Sequence, residues 1–166
     1  MRNRNNLAVY VRSFVFGVED SLVSTVGLLS GVAIAGVERE IIFLTGVILI
    51  FVEAFSMAVG SFLSEHSASE YIAQNAMPFV NSIFSGIVMF FSYFISGFAH
   101  LFPYLFFSVN EALIISIVLS LAALFILGIV SANFSKTNLW RGGFKMFLIG
   151  GLAIVLGILI GGIVRR

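Results

Sequence analysis

The feature that most constrains this chain is a series of unbroken apolar runs, each long enough to cross a lipid bilayer as a helix. Such a crossing takes roughly 20 apolar residues. Five stretches qualify, at about residues 13–36, 41–63, 79–99, 105–131 and 143–164. In hydrocarbon every backbone polar group must be satisfied within the structure, which leaves helices and closed barrels. The short alternating segments of barrel strands are missing here. The expected fold is therefore an all-α integral membrane protein, five transmembrane helices forming one domain over residues 1–166. The connections are too short and too apolar to hold a separate soluble domain. Composition agrees, with 60% of residues hydrophobic and 10% charged, against about 45–50% and about 25% in soluble domains.

Several functional classes drop out on composition. A net charge of +1 provides no basic field for nucleic acid. The absence of cysteine removes disulfides, zinc–thiolate sites and iron–sulfur ligation. No Gly-rich phosphate loop is present, which argues against an ATP-driven pump. Neither a nucleophile–base pair nor a His-rich cluster is visible, so no enzymatic activity and no cofactor are expected. The polar start, MRNRNN, lacks a small-residue cleavage site before the first span and reads as a cytoplasmic tail rather than a cleaved signal peptide.

With five spans, the N-terminus and the second and fourth connections share one side. That side carries Arg2, Arg4, Arg12, Lys136, Arg141 and Lys145; the other carries Arg39, Arg165 and Arg166. The positive-inside rule then places the N-terminus in the cytoplasm and the C-terminus outside. Trp140, beside Arg141, reads as an interfacial anchor.

Against this apolar background the acidic residues stand out. Glu19 and Asp20 interrupt the first span, and Glu53 lies near the middle of the second. A charged side chain in the bilayer core costs at least about 2.5–3.5 kcal/mol, and such residues ordinarily mark ion or proton paths. Asp20, Ser24, Gly27 and Gly31 recur at helical steps and share one face. Glu53, Met57 and Gly60 do the same on the second helix. Because the two helices run in opposite directions, Asp20 and Met57 fall at a similar depth, about 7–8 Å from the midplane at roughly 1.5 Å per residue. Glu53 lies deeper.

A thioether beside carboxylates shifts preference from Mg²⁺ and Ca²⁺ toward softer first-row metals. Asp20, Met57 and Glu53, with Glu19 next to them, are thus candidate ligands for Fe²⁺, Mn²⁺, Co²⁺ or Zn²⁺ carried as substrate. One chain offers few ligands, and a two-fold homodimer would double the set at its axis. Carboxylates desolvated at this depth hold protons until a metal displaces them, a physical basis for metal–proton exchange. Glu65 and Glu70, with His66 between them, are weaker candidates. They read either as a solvated acidic turn or as a cation-collecting mouth.

Other residues read more plainly. The Gly27-x-x-x-Gly31 pair suits close helix packing, within one protomer or at a seam between two. Gly143, Gly150 and Gly157, extended by Gly161, suggest a stripe packed against one neighbour. His100, near Pro103 in a tight outer turn, reads as a surface residue. Glu111 is expected to reach water, and Met89 and Met146 to fill the core. A non-transporting membrane scaffold, assembled through the glycine faces, is the alternative to a transporter.

The first span, FVFGVEDSLVSTVGLLSGVA, resembles the first helix of the vacuolar iron transporter family. EAFSMAVGSFLSEHSASE resembles that family's second helix, Phe102-Pro103-Tyr104 its turn after the third, and RGGFKMFLIGGLA the start of its last. The resemblance implies a five-helix homodimer moving Fe²⁺, and often Mn²⁺, out of the cytoplasm in exchange for protons, with Asp20 and Met57 on the ion path. The chain departs from the pattern at three places. It has Glu19-Asp20-Ser21 where many members have Asn-Asp-Gly. It has Glu53 where many have a small residue, and Ser61 where many have Glu. The Glu- and Met-rich cytoplasmic metal-binding insert of plant-type members is essentially missing between the second and third spans.

Overall fold

A computed structural model describes residues 2–72 and 79–165. Among these the chain is helical throughout: α1 (Arg2–Ile34), α2 (Arg39–Ile72), α3 (Phe79–Leu101), α4 (Pro103–Phe106), α5 (Val109–Phe134) and α6 (Leu139–Val164). Five of them, all but the single turn α4, are long and apolar enough to span a membrane. Two overrun the expected spans. α1 begins at Arg2 and α2 continues to Ile72, because apolar length marks only the membrane-embedded part of a helix. No Pro or Gly breaks the polar ends. Ser64–Tyr71 is consequently helix rather than a turn. The rest of that connection, residues 73–78, and Arg166 of the charge count lie outside the described residues.

Helix ends follow local chemistry. Pro103 cannot donate a backbone hydrogen bond and separates α3 from α4. Ser108 and Glu111 form a reciprocal capping box at the start of α5, so Glu111 reaches water while also serving the helix. Asn138 accepts from the Arg141 backbone N–H at 3.2 Å and caps α6. Gly36 takes φ +84° in the α1–α2 turn, a left-handed conformation that suits glycine. Arg165 donates to the Ile34 carbonyl at 3.3 Å, so a cation satisfies the C-terminal end of α1.

α1 is the hub: it packs on α2, α3, α5 and α6, whereas α2 packs mainly on α3, and α5 on α6. Its seam with α6 is made of glycines. A Cβ at Gly31 would stand 2.7 Å from the Gly157 carbonyl oxygen, and Gly157 and Gly161 abut the backbone of Gly27 and Gly31. The Gly27/Gly31 face is thus consumed inside one chain and is not free for an intermolecular seam, which leaves the scaffold reading without its surface. Nor does the α6 stripe face a single neighbour, as the spacing suggested. Gly143 meets Phe125 of α5, Gly150 meets Leu124 of α5 and Val23 of α1, and Gly157 and Gly161 meet α1. α6 crosses from one partner to the other along its length.

The apolar core, with Leu29, Ile42, Ile50, Leu101 and Tyr104 at its centre, occupies the end of the bundle near the α1–α2 turn. His100 is buried there, not at the surface. α3 continues through Leu101, so His100 sits inside the helix and turns toward α5. The Ser120 hydroxyl lies 3.3 Å from His100 Nδ1, and Ser116 donates to the His100 carbonyl at 2.7 Å. Elsewhere the interior is lined by small residues, including buried Ser13, Ser21, Ser85 and Ser92, while Phe55, Ile95, Phe106 and Ile163 point outward.

Candidate functional site

Because α2 and α5 do not cover each other's flank of α1, the N-terminal half of α1 is left open. A cavity of about 1150 Å³ fills this gap. It is walled by α1 from Leu7 to Glu19, α2 from Ser56 to Ser64, Met89 of α3, and the end of α5 from Ser131 to Ser135. At 1.5 Å per residue the α1 wall is about 18 Å long. The cavity therefore reaches well into the bundle from the end opposite the apolar core. Glu19 and Met57 both line it, together with Arg12 and a set of serine hydroxyls.

Asp20 and Glu53 are not lining residues. They are half-buried, next along their helices beyond the deepest lining residues of α1 and α2, Glu19 and Ser56. Asp20 lies within Coulombic reach of Glu53, and Glu19 within reach of Asp20 and of Lys145 on α6. The four main candidates are thus staggered: Glu19 and Met57 line the cavity wall, and Asp20 and Glu53 lie past its inner end. An oxygen-rich, thioether-containing group of this kind can strip part of a hydration shell from a divalent transition-metal ion.

The weaker candidates are differently placed. Glu65 is buried and ion-paired with Arg12, which offsets its charge toward other cations. The Glu70 carboxylate is 3.5 Å from His66 Nε2 and exposed. Among the described residues, no three His, Cys, Asp or Glu side chains converge on one point. A single chain therefore offers fewer protein ligands than a first-row ion takes, and water or a second copy would complete its shell.

Sequence reasoning missed the polar groups that hold this region together. Ser13 on α1 and Ser85 on α3 are 2.7 Å apart, Ser61 on α2 is 2.9 Å from Ser85, and Ser13 and Ser61 are 3.4 Å apart. Three helices are thus tied by one ring of hydroxyls beside the cavity. Ser21 donates to the Tyr93 carbonyl at 2.8 Å, and Ser24 and the Tyr93 hydroxyl are 2.8 Å apart. Serines at helical spacing on α1 were the available signal, but nothing in α3 marked Tyr93 as their partner.

A multi-pass helical bundle with carboxylates inside its membrane spans and a cavity of apolar side chains and serine hydroxyls leading toward them has the architecture of a membrane transport protein. The VIT family model matches residues 11–78 and 73–162, and the chain belongs to this family, the vacuolar iron transporters. Its members are transporters of metal ions. Comparison with curated proteins returns no match.

Proposed function

We propose that this protein is a homodimeric secondary transporter that moves Fe²⁺ and/or Mn²⁺ out of the cytoplasm in exchange for protons. The observation that carries the reading is that Glu19 and Met57 line a cavity opening at one face of the bundle, with Asp20 and Glu53 just beyond them along α1 and α2. In this reading Asp20 and Met57 are direct metal ligands, Glu53 is a deeper ligand or proton carrier, and Glu19 adds charge at the cavity wall. With the N-terminus in the cytoplasm and the C-terminus outside, the cavity opens to the cytoplasm, as an exporter awaiting its ion would. The half-buried carboxylate of Glu53 on α2 is costly against lipid, which favours a second copy covering that flank and doubling the ligand set. The short α2–α3 connection fits a prokaryotic plasma-membrane member that collects metal without a separate cytoplasmic domain.

The test is metal flux into proteoliposomes bearing a pH gradient, wild type beside Asp20→Ala, with Fe²⁺, Mn²⁺, Zn²⁺ and Ca²⁺ and with dyes for metal and for pH inside. Asp20-dependent Fe²⁺ or Mn²⁺ flux with counter-moving protons is expected. Flux without proton movement would remove the exchange and leave a channel. Unchanged flux in folded Asp20→Ala would remove Asp20 from the path.

A further inference from the structure

Tyr93 is fully buried on α3, and it holds α1 at two points. Its backbone carbonyl accepts from Ser21 and its hydroxyl pairs with Ser24, both at 2.8 Å. Those serines stand one and four positions beyond Asp20, so the two contacts lie nearly one helical turn apart on the strand of helix that carries the carboxylate. A single bond would leave α1 free to turn about its axis. Two bonds to one residue, at different heights and azimuths, fix both rotation and height. Ser21 directly follows Asp20 in the chain, so the clamp grips α1 next to the carboxylate it would orient.

Rotation matters here. A carboxylate about 5–6 Å from the helix axis moves about 2 Å when the helix turns by about 20°. Metal–ligand distances tolerate only about 0.2 Å. We propose that Tyr93 is a positioning residue for metal binding: through Ser21 and Ser24 it sets the rotation of α1 that turns Asp20 toward Glu53. The inference rests on the reading of Asp20 as a metal ligand. It makes the geometry of the ion site depend on a residue that need not touch the ion.

The test uses full-length protein in proteoliposomes, with saturation curves for Mn²⁺, Co²⁺ and Zn²⁺. Tyr93→Phe keeps the ring and its packing and loses only the hydroxyl. Ser24→Ala removes the same bond from the α1 side and carries the test alone where Tyr93→Phe is not monodisperse. Loss of one hydrogen bond is expected to raise KM for Mn²⁺ about two- to tenfold, with the maximal rate less affected. The ratio of Mn²⁺ to Zn²⁺ KM values should change, and the double variant should be no worse than either single one. Unchanged KM values and ratio in folded variants would overturn the proposal. So would a uniform fall in maximal rate for all three metals at unchanged KM, the mark of a packing role. Asp20→Ala is measured alongside. If it is inactive while Tyr93→Phe and Ser24→Ala behave as wild type, only the positioning role falls. If Asp20→Ala transports as wild type, the functional reading falls and the positioning role with it.

Discussion

Arg12 on α1 and Glu65 on α2 are joined by an ion pair at the rim of the cavity, with Glu65 buried and Arg12 open to solvent. Removing Arg12 leaves a carboxylate without its partner in a place where water is scarce. Arg12→Ala should cost about 1–3 kcal/mol, between the value of an exposed pair and that of a buried one. Exchanging the two, Arg12→Glu with Glu65→Arg, should recover most of the loss. Thermal unfolding in detergent checks both, and a swap no more stable than the worse single variant would dismiss the pair as a structural tie.

The glycine seam makes a contrast within one residue type. A methyl group at Gly157 or Gly161 would run into the backbone of Gly27 or Gly31, which cannot rotate aside. Gly157→Ala or Gly161→Ala should destabilise the fold by about 1–3 kcal/mol. Gly60, on the cavity wall, has nothing within 4 Å of where its Cβ would stand. Gly60→Ala should leave the unfolding temperature within error of wild type or slightly raise it, since alanine favours the helix by about 1 kcal/mol.

The hydroxyl ring should respond by burial. Ser85 is buried away from the cavity, whereas Ser13 and Ser61 both line it. Ser85→Ala strands its partners at a point away from cavity water and should cost about 1–3 kcal/mol. Ser13→Ala and Ser61→Ala should cost less, because cavity water can take the place of either hydroxyl. Equal losses at all three positions would show that the ring is not graded by access to water.

His100 should prove structural. Replacing it with Ala deletes a buried ring and the Ser120 contact, and should cost about 2–4 kcal/mol. His100→Asn, which keeps a short polar head toward Ser120, should recover part of this. Unfolding temperatures of the two variants, read beside their transport rates, check it; a fully stable but inactive His100→Ala would give His100 a functional role instead.

The division between what was legible and what was not is physical. The spans could be read because apolar length is a local property; the Ser108–Glu111 capping box is equally local but lay inside the run from 105 to 131 and was passed over. Glu19, Asp20, Glu53 and Met57 stood out because an acid or a thioether in an apolar run needs a reason. Tyr93, His100 and the Ser13–Ser61–Ser85 ring were hidden, since their meaning depends on how α3 is rotated against α1 and α5, and no single helix encodes that. Glu65 was misjudged for a related reason. Its setting is decided by Arg12 on another helix and by the continuation of α2 past the apolar run. The glycines were legible as packing surfaces but not as to whose surface they met.

Serine and glycine hold the closest helix crossings, while Phe55, Ile95, Phe106 and Ile163 are among many large side chains that face outward. Helices with slim inner faces approach closely, and the furrows between bulky outer residues must be filled by something other than the protein. The acyl chains of the membrane do that filling, so the lipid is in effect the outermost layer of the packing. Extraction into a detergent with short or poorly fitting tails takes that layer away, and the loosening should start at the perimeter while the glycine seam still holds.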